Sequence, residues 1–116
     1  MIKNQLIYVA HPFGGDKANK YSIDTIMENL VMLDKNNTYL SPLHNFSMLY
    51  FDTQYSKGLK ICLDMLNKCD ALVLCGEWET SKGCIGEWSF AIAKGMLIYT
   101  WKEWTDKLKE QGDNSR

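Results

Sequence analysis

The chain has 116 residues, 46% of them hydrophobic, with thirteen basic side chains against fourteen acidic ones. That length suits one hydrophobic core rather than two. A near-neutral balance with no long Lys/Arg run excludes the electrostatic footprint of a nucleic-acid binder, so no nucleic-acid polymer is expected as a partner.

The opening "MIKNQLIYVAHPFGG" holds a six-residue apolar run before a His-Pro break. Such a run is too short for the apolar part of a signal peptide or for a membrane span, so the expected setting is cytoplasmic, with no membrane partner. The run itself, "QLIYVA" (5–10), predicts a first strand. Its exit loop "HPFGGDK" carries Gly14 and Gly15, which allow close backbone approach. The helix that follows would offer free N–H groups to an anion such as a phosphate. An ordinary strand-to-helix turn fits that loop equally well.

Ile23, Ile26, Met27 and Leu30 recur at i, i+3, i+4 and i+7 and predict an amphipathic helix. "TYLSPL" (38–43) predicts the second strand. The segment "NFSMLYFDTQYSKG" is rich in Phe, Tyr and Met and reads as a lid, a subunit interface or both. Leu59, Cys62, Leu63 and Leu66 repeat the helical stripe, and "ALVLCG" (71–76) predicts the third strand. A third helix is expected from near Gly83 to Gly95, where glycine suits a left-handed stop. "MLIYTW" (96–101) predicts the fourth strand, and "KEWTDKLKE" a short helix with Trp104 and Leu108 on one side. The tail "QGDNSR" is expected to fray.

Three of the four strand candidates are apolar almost throughout, the pattern of a parallel sheet covered on both faces. The alternation of strand and helix therefore predicts an α/β fold: a single-domain, Rossmann-like or flavodoxin-like three-layer sandwich with a mostly parallel sheet of about four to five strands. The domain is expected to span 1–104, with 105–116 forming the helix end and tail. Cys62, Cys69, Cys75 and Cys84 form no Cys-x-x-Cys pair, so reduced thiols are expected rather than a metal site or disulfides. Neither GxxxxGK[ST] nor GxGxxG occurs, which removes support for a P-loop or a standard dinucleotide site.

In such folds ligands bind beyond the carboxyl ends of the strands, near the loops "HPFGGDK" and "GEWETSKG". Glu87 admits two readings there. With a helix starting at Gly83 or Cys84 it is a first-turn acid, favoured by the helix dipole by about 0.3–1 kcal/mol. Its helical neighbours Cys84, Phe90 and Ala91 are uncharged, however, which points to the packed side. Burial there raises a carboxyl's pKa and marks many functional sites.

"LIYVAHPF" and "CDALVLCGEWETSKGCIGEWSFAIAKGMLIYTW" resemble the nucleoside 2-deoxyribosyltransferase superfamily and its small phage and prophage relatives. The family's elements fall on Tyr8, Ala10, Pro12 and Phe13, on Asp70 before the third strand, and on Gly83, Glu87, Ala91 and Gly95. His11, Ser89 and Met96-Leu97 depart from its Gly, Gly and Lys-Pro, and the chain lacks the C-terminal extension of the well-known transferases. The resemblance implies cleavage or transfer of the N-glycosidic bond of a nucleoside, nucleotide or nucleotide-derived signal, with Glu87 as nucleophile. Tyr8 would then orient the carboxylate, and Asp70 or Asp64 would handle the proton of the leaving base. Each aspartate also fits a structural role.

His11 and His44 follow the first two strands and are candidates to contact phosphate or a base, or are polar loop residues with local hydrogen bonds. Trp78, Trp88 and Phe13 are stacking candidates, and Pro12, Lys82 and Gly83 complete the expected binding set. The resemblance implies a small-molecule nucleoside or nucleotide ligand, a homo-oligomer of dimeric or higher order, and no cofactor or metal. The alternative is a non-catalytic protein that sequesters a nucleotide signal, as a phage counter-defence factor would; a purely structural oligomer is a third possibility.

Overall fold

The computed structural model describes residues 4–12, 16–42, 44 and 55–114. In chain order these form β1 (Leu6–Ala10), α1 (Lys17–Leu33), β2 (Thr38–Leu40), α2 (Tyr55–Asn67), β3 (Ala71–Leu74), α3 (Lys82–Lys94), β4 (Leu97–Thr100) and α4 (Trp101–Asn114), with a 3-10 turn over Trp78–Thr80. The strands form one sheet in the order β2-β1-β3-β4, with every pairing parallel. The α/β three-layer fold expected from the sequence is the fold observed.

Alternation along the strands divides the core. Ile7 and Val9 of β1 and Ala71 and Val73 of β3 point to one face, where they meet Ile23 and Leu30 of α1 and Trp104 of α4. Tyr8, Ala10, Leu72 and Leu74 point to the other, against Cys62 and Leu66 of α2 and Cys84 and Ala91 of α3. Period-2 strands between period-3.6 helices produce this three-layer arrangement. The helical stripes expected on α1 and α2 are the ones that pack. Connections leading in opposite directions from the β1/β3 pair, α1 to β2 and α3 to β4, lie on opposite faces, as crossovers of one hand require.

Local chemistry sets most boundaries. Asp16 caps α1, its Oδ1 accepting the Ala18 N–H at 2.8 Å. At the far end of α1 the buried Asp34 carboxylate accepts from the Asn36 N–H, the Asn37 amide and the Tyr39 hydroxyl, and the Trp104 indole donates to that same hydroxyl at 3.0 Å. One carboxylate thus ties α1, β2 and α4 together. Ser81 caps α3, and Gly95 ends it at φ 75°, in the left-handed conformation expected of a glycine stop.

Among the boundaries that differ from those expected, two have a clear local cause. The second strand ends at Leu40, because Ser41 and Pro42 turn the chain and the Ser41 carbonyl accepts the His44 N–H at 3.1 Å. The last helix begins at Trp101, directly after β4, and runs to Asn114, through most of the tail expected to fray. Its start is a capping box: the Thr100 N–H donates to Glu103 Oε1 at 2.8 Å, and the Glu103 N–H donates to Thr100 Oγ1 at 3.2 Å. The Thr-x-x-Glu signal at 100–103 was present in the sequence, but its Thr100 lay inside an apolar run read as strand.

Thr100→Ala is expected to lower the free energy of unfolding by about 1 kcal/mol. Adding Glu103→Ala should cost less than that change costs alone, since the bonds are reciprocal; urea denaturation of the single and double variants measures both.

Candidate functional site

The switch in strand order falls between β1 and β3, whose neighbours β2 and β4 lie on opposite sides. At their carboxyl ends the Cys75 N–H donates to the Ala10 carbonyl at 2.9 Å, and the chain then turns at Gly76 with φ 63°. A Cβ on Gly76 would lie 2.8 Å from His11 Nε2, so the glycine is needed both for its conformation and for the ring beside it. His11 Nδ1 lies 2.7 Å from the Pro12 carbonyl, which only accepts. In the neutral ring the proton is therefore on Nδ1, and Nε2 accepts from the Ser22 hydroxyl at 3.0 Å. His11 is thus locked at the mouth of the switch-point crevice, on the α1 side.

Glu87 sits on the other face. Ser81 starts α3 at Lys82, earlier than expected, so Glu87 falls in the second turn and the first turn holds no acid. The reading of Glu87 as a first-turn dipole acid is corrected by that start. Cys84, Glu87 and Ala91 form the buried stripe of the helix, and Glu87 is only 5% exposed. The Tyr8 hydroxyl of β1, itself fully buried, donates to Glu87 Oε2. Burial drives the Glu87 carboxyl from its ordinary 4.5 up to about 7, and the Tyr8 hydrogen bond partly opposes the rise. Burial first, then the charge of Glu87, raises the Tyr8 phenol well above its usual range, so Tyr8 stays a donor. Trp78 and Trp88 lie half-buried with ring centroids 5.8 Å apart and planes at 45°, beside the start of the same helix.

Other expected site residues lie elsewhere. Asp70 stands at the amino ends of the strands, where Leu6 N–H donates to its Oδ2 and its own N–H donates to the Leu6 carbonyl, both at 2.8 Å. It clamps β1 to β3 at the edge away from the crevice. Asp64 is 62% exposed and paired with Lys60 at 2.8 Å on the outer side of α2. Two residues on from the inward-facing Cys62, it is turned about 200° around the helix. Neither aspartate is brought to Glu87. His44 is held by Ser41 Oγ at 2.8 Å and Asp24 at 2.5 Å, a local anchor on α1. Lys82 is exposed and Gly83 half-buried in the first turn of α3, while Pro12 is half-buried after β1. Phe13, Gly14, Gly15 and residues 45–54 of the aromatic segment lie outside the described residues.

Sequence reasoning passed over Cys62. It packs in the same buried cluster as Tyr8, and burial followed by the Glu87 charge pushes its thiol up to about 11. Cys84, beside Ser81, is likewise raised by burial, to about 12. All four cysteines are free and buried. Their place in helical stripes marked Cys62 and Cys84 as core, and nothing in spacing distinguishes a core thiol from one touching a tyrosine on a strand. Among the described residues no group of three or more His, Cys, Asp and Glu is gathered as a metal site, and no helix is long and apolar enough to cross a membrane.

Residues 5–100 match the family described as a domain of unknown function, DUF4406. The chain belongs to that family. Among curated proteins nothing matches the sequence. Among solved structures, a 2-deoxyribosyltransferase from Leishmania mexicana superposes with a TM-score of 0.60 at 24% identity, over 83% of this chain and 63% of its own. This DUF4406 protein therefore has a nucleoside 2-deoxyribosyltransferase-like fold, and it spans less than two thirds of that transferase.

A carboxyl that is harder to ionise in the folded state than in the unfolded one favours folding most below pH 4.5, and that stability is lost as pH rises to about 7. Glu87→Gln lacks this loss. Its stability advantage over the wild type is expected to grow across that window by up to about 3 kcal/mol, read from melting temperatures at pH 4, 5.5 and 8.

Proposed function

We propose that the protein cleaves or transfers the N-glycosidic bond of a nucleoside, a nucleotide or a nucleotide-derived signal, with Glu87 as the nucleophile. The observation that carries this reading is the buried Glu87 carboxyl, held by Tyr8 inside a deoxyribosyltransferase-like fold. Holding a carboxylate in an apolar niche is unfavourable for folding, and groups perturbed in this way concentrate where chemistry is done.

In the proposed reaction a Glu87 oxygen attacks the anomeric carbon as the C–N bond breaks. The bonding pair leaves on the base nitrogen, which takes up a proton, and a glycosyl ester of Glu87 remains. A second base or water then attacks the same carbon, loses its proton and returns Glu87 as a carboxylate. Tyr8 orients the carboxylate through Oε2. Trp78 and Trp88 supply aromatic surface for a base, and His11 lines the crevice from the α1 side. Since Asp64 and Asp70 are engaged elsewhere, neither is assigned the leaving-group proton here.

The test is to incubate the protein with a panel of nucleosides, nucleotides, NAD and cyclic ADP-ribose-type signals, with and without an acceptor base, and to resolve the released bases by chromatography. At least one member is expected to lose its base, with Glu87→Ala reducing the rate by about a thousandfold or more. Because the nucleophile must be ionised, kcat/KM is expected to rise with pH through a limb near 7. A panel member bound and then returned intact on denaturation would overturn turnover in favour of sequestration.

A further inference from the structure

Among the described residues, two histidine rings have a serine hydroxyl as partner. His44 meets Ser41 Oγ at 2.8 Å on one nitrogen and Asp24 on the other, the same three residue types as a hydrolytic triad. Ser41 is only 2% exposed, however, so no substrate can reach it. His11 and Ser22 differ in that respect. Both are half-buried, His11 just beyond the carboxyl end of β1 and Ser22 in the second turn of α1. Helix hydroxyls commonly bond back to a carbonyl of the preceding turn, as Thr25 does with Tyr21 and Thr105 with Lys102, each at 3.1 Å. Ser22 instead holds His11 Nε2 at 3.0 Å, a partner that can also take its proton.

We propose that Ser22 and His11 form a nucleophile–base dyad that hydrolyses esters of small carboxylic acids, at a site separate from Glu87.

A serine hydroxyl is a weak nucleophile unless a base takes its proton during the attack, and that base must present a free lone pair to the hydroxyl. The Pro12 carbonyl provides the orientation. It can only accept, so at 2.7 Å it keeps the ring proton on Nδ1 and leaves the Nε2 lone pair for Ser22. A buried aspartate plays that part in a serine triad. Gly76 leaves room for the ring, since a Cβ there would lie 2.8 Å from Nε2 and push it off Ser22.

In the reaction, Ser22 Oγ bonds to the ester carbonyl carbon while its proton passes to Nε2. The carbon–oxygen bond to the alcohol then breaks, and the alcohol leaves with that proton, so an acyl ester of Ser22 remains. Water attacks the same carbon, gives a proton to Nε2, and the acid departs as the proton returns to Ser22. Ester and water become acid and alcohol, with both dyad residues restored. While Nε2 holds the proton, the Nδ1 bond to the Pro12 carbonyl becomes charge-assisted and steadies the ring. The dyad does not rest on the reading of Glu87, which lies on the other face of the sheet.

The whole chain is incubated with a fluorophosphonate probe, whose phosphorus a serine attacks with loss of fluoride, and then mapped by mass spectrometry. The adduct is expected on Ser22 within the tryptic peptide 21–35, and p-nitrophenyl acetate is expected to be turned over. Both are lost in Ser22→Ala. His11→Gln keeps an acceptor for Ser22 but takes no proton, so it should slow labelling by about a hundredfold with folding confirmed by its melting curve. No adduct, an adduct on the neighbouring Tyr21, labelling without ester turnover, or unchanged labelling in His11→Gln would overturn the dyad. Should His11→Gln fail to fold, Ser22→Cys decides. Beside an intact His11 the introduced thiol is expected to react with iodoacetamide faster than free cysteine at pH 6, and a rate no greater than that of free cysteine contradicts the proposal.

Discussion

Parallel strands cannot be joined by tight turns, so each connection must carry the chain back across a face of the sheet, and a helix is the economical way to do so. The whole molecule follows from that constraint. Among the described residues the four strands run parallel, helices cover both faces, and β1 and β3 are left at the centre with hydrophobic side chains on each side. The same constraint places the switch point. The chain leaves β1 for one edge and reaches the other edge from β3, and open α/β sheets bind ligands beyond the carboxyl ends of such a strand pair.

The two faces of the crevice have different chemistry. On the α1 side His11 is fixed in one tautomer by a backbone carbonyl and a serine, against a glycine that cannot carry a side chain without displacing the ring. On the α3 side a carboxyl is buried beneath a tyrosine and thiols rather than beside a cation. A Lys or Arg partner would have held Glu87 ionised at every ordinary pH. The Tyr8 phenol instead offers a hydrogen bond without charge, and burial leaves the carboxyl poised near neutrality. Asp34 shows the contrast: its carboxylate is buried too, but with three donors it serves as a structural tie.

The division between readable and unreadable features follows the range of the interactions. Strand and helix identities, the glycine stop at Gly95 and the packed stripes of α1 and α2 rest on neighbours within one turn or one strand, and they were legible. The burial of Glu87 was legible too, because Cys84, Phe90 and Ala91 lie at helical spacing around it. The start of α4 was misplaced even though its signal is local, because an apolar run and a capping box overlap at Trp101 and the sequence does not say which prevails.

For the aspartates the sequence left a structural and a catalytic role open, and for the cysteines it showed only an apolar setting. Asp64 and Cys62 are two residues apart on one helix, and only the packing of α2 on the sheet decides that the thiol, not the acid, faces the cluster that holds Tyr8. Asp70 precedes a strand, and only the parallel pairing of β1 with β3 puts it at the amino edge, bonded to Leu6 and away from the crevice. The sequence by itself determined the alternating elements and the buried setting of Glu87, since periodicity is written into neighbouring residues. The resemblance set Tyr8 beside Glu87, but no local pattern reaches across the 79 positions between them, and the two meet only when α3 docks on the sheet.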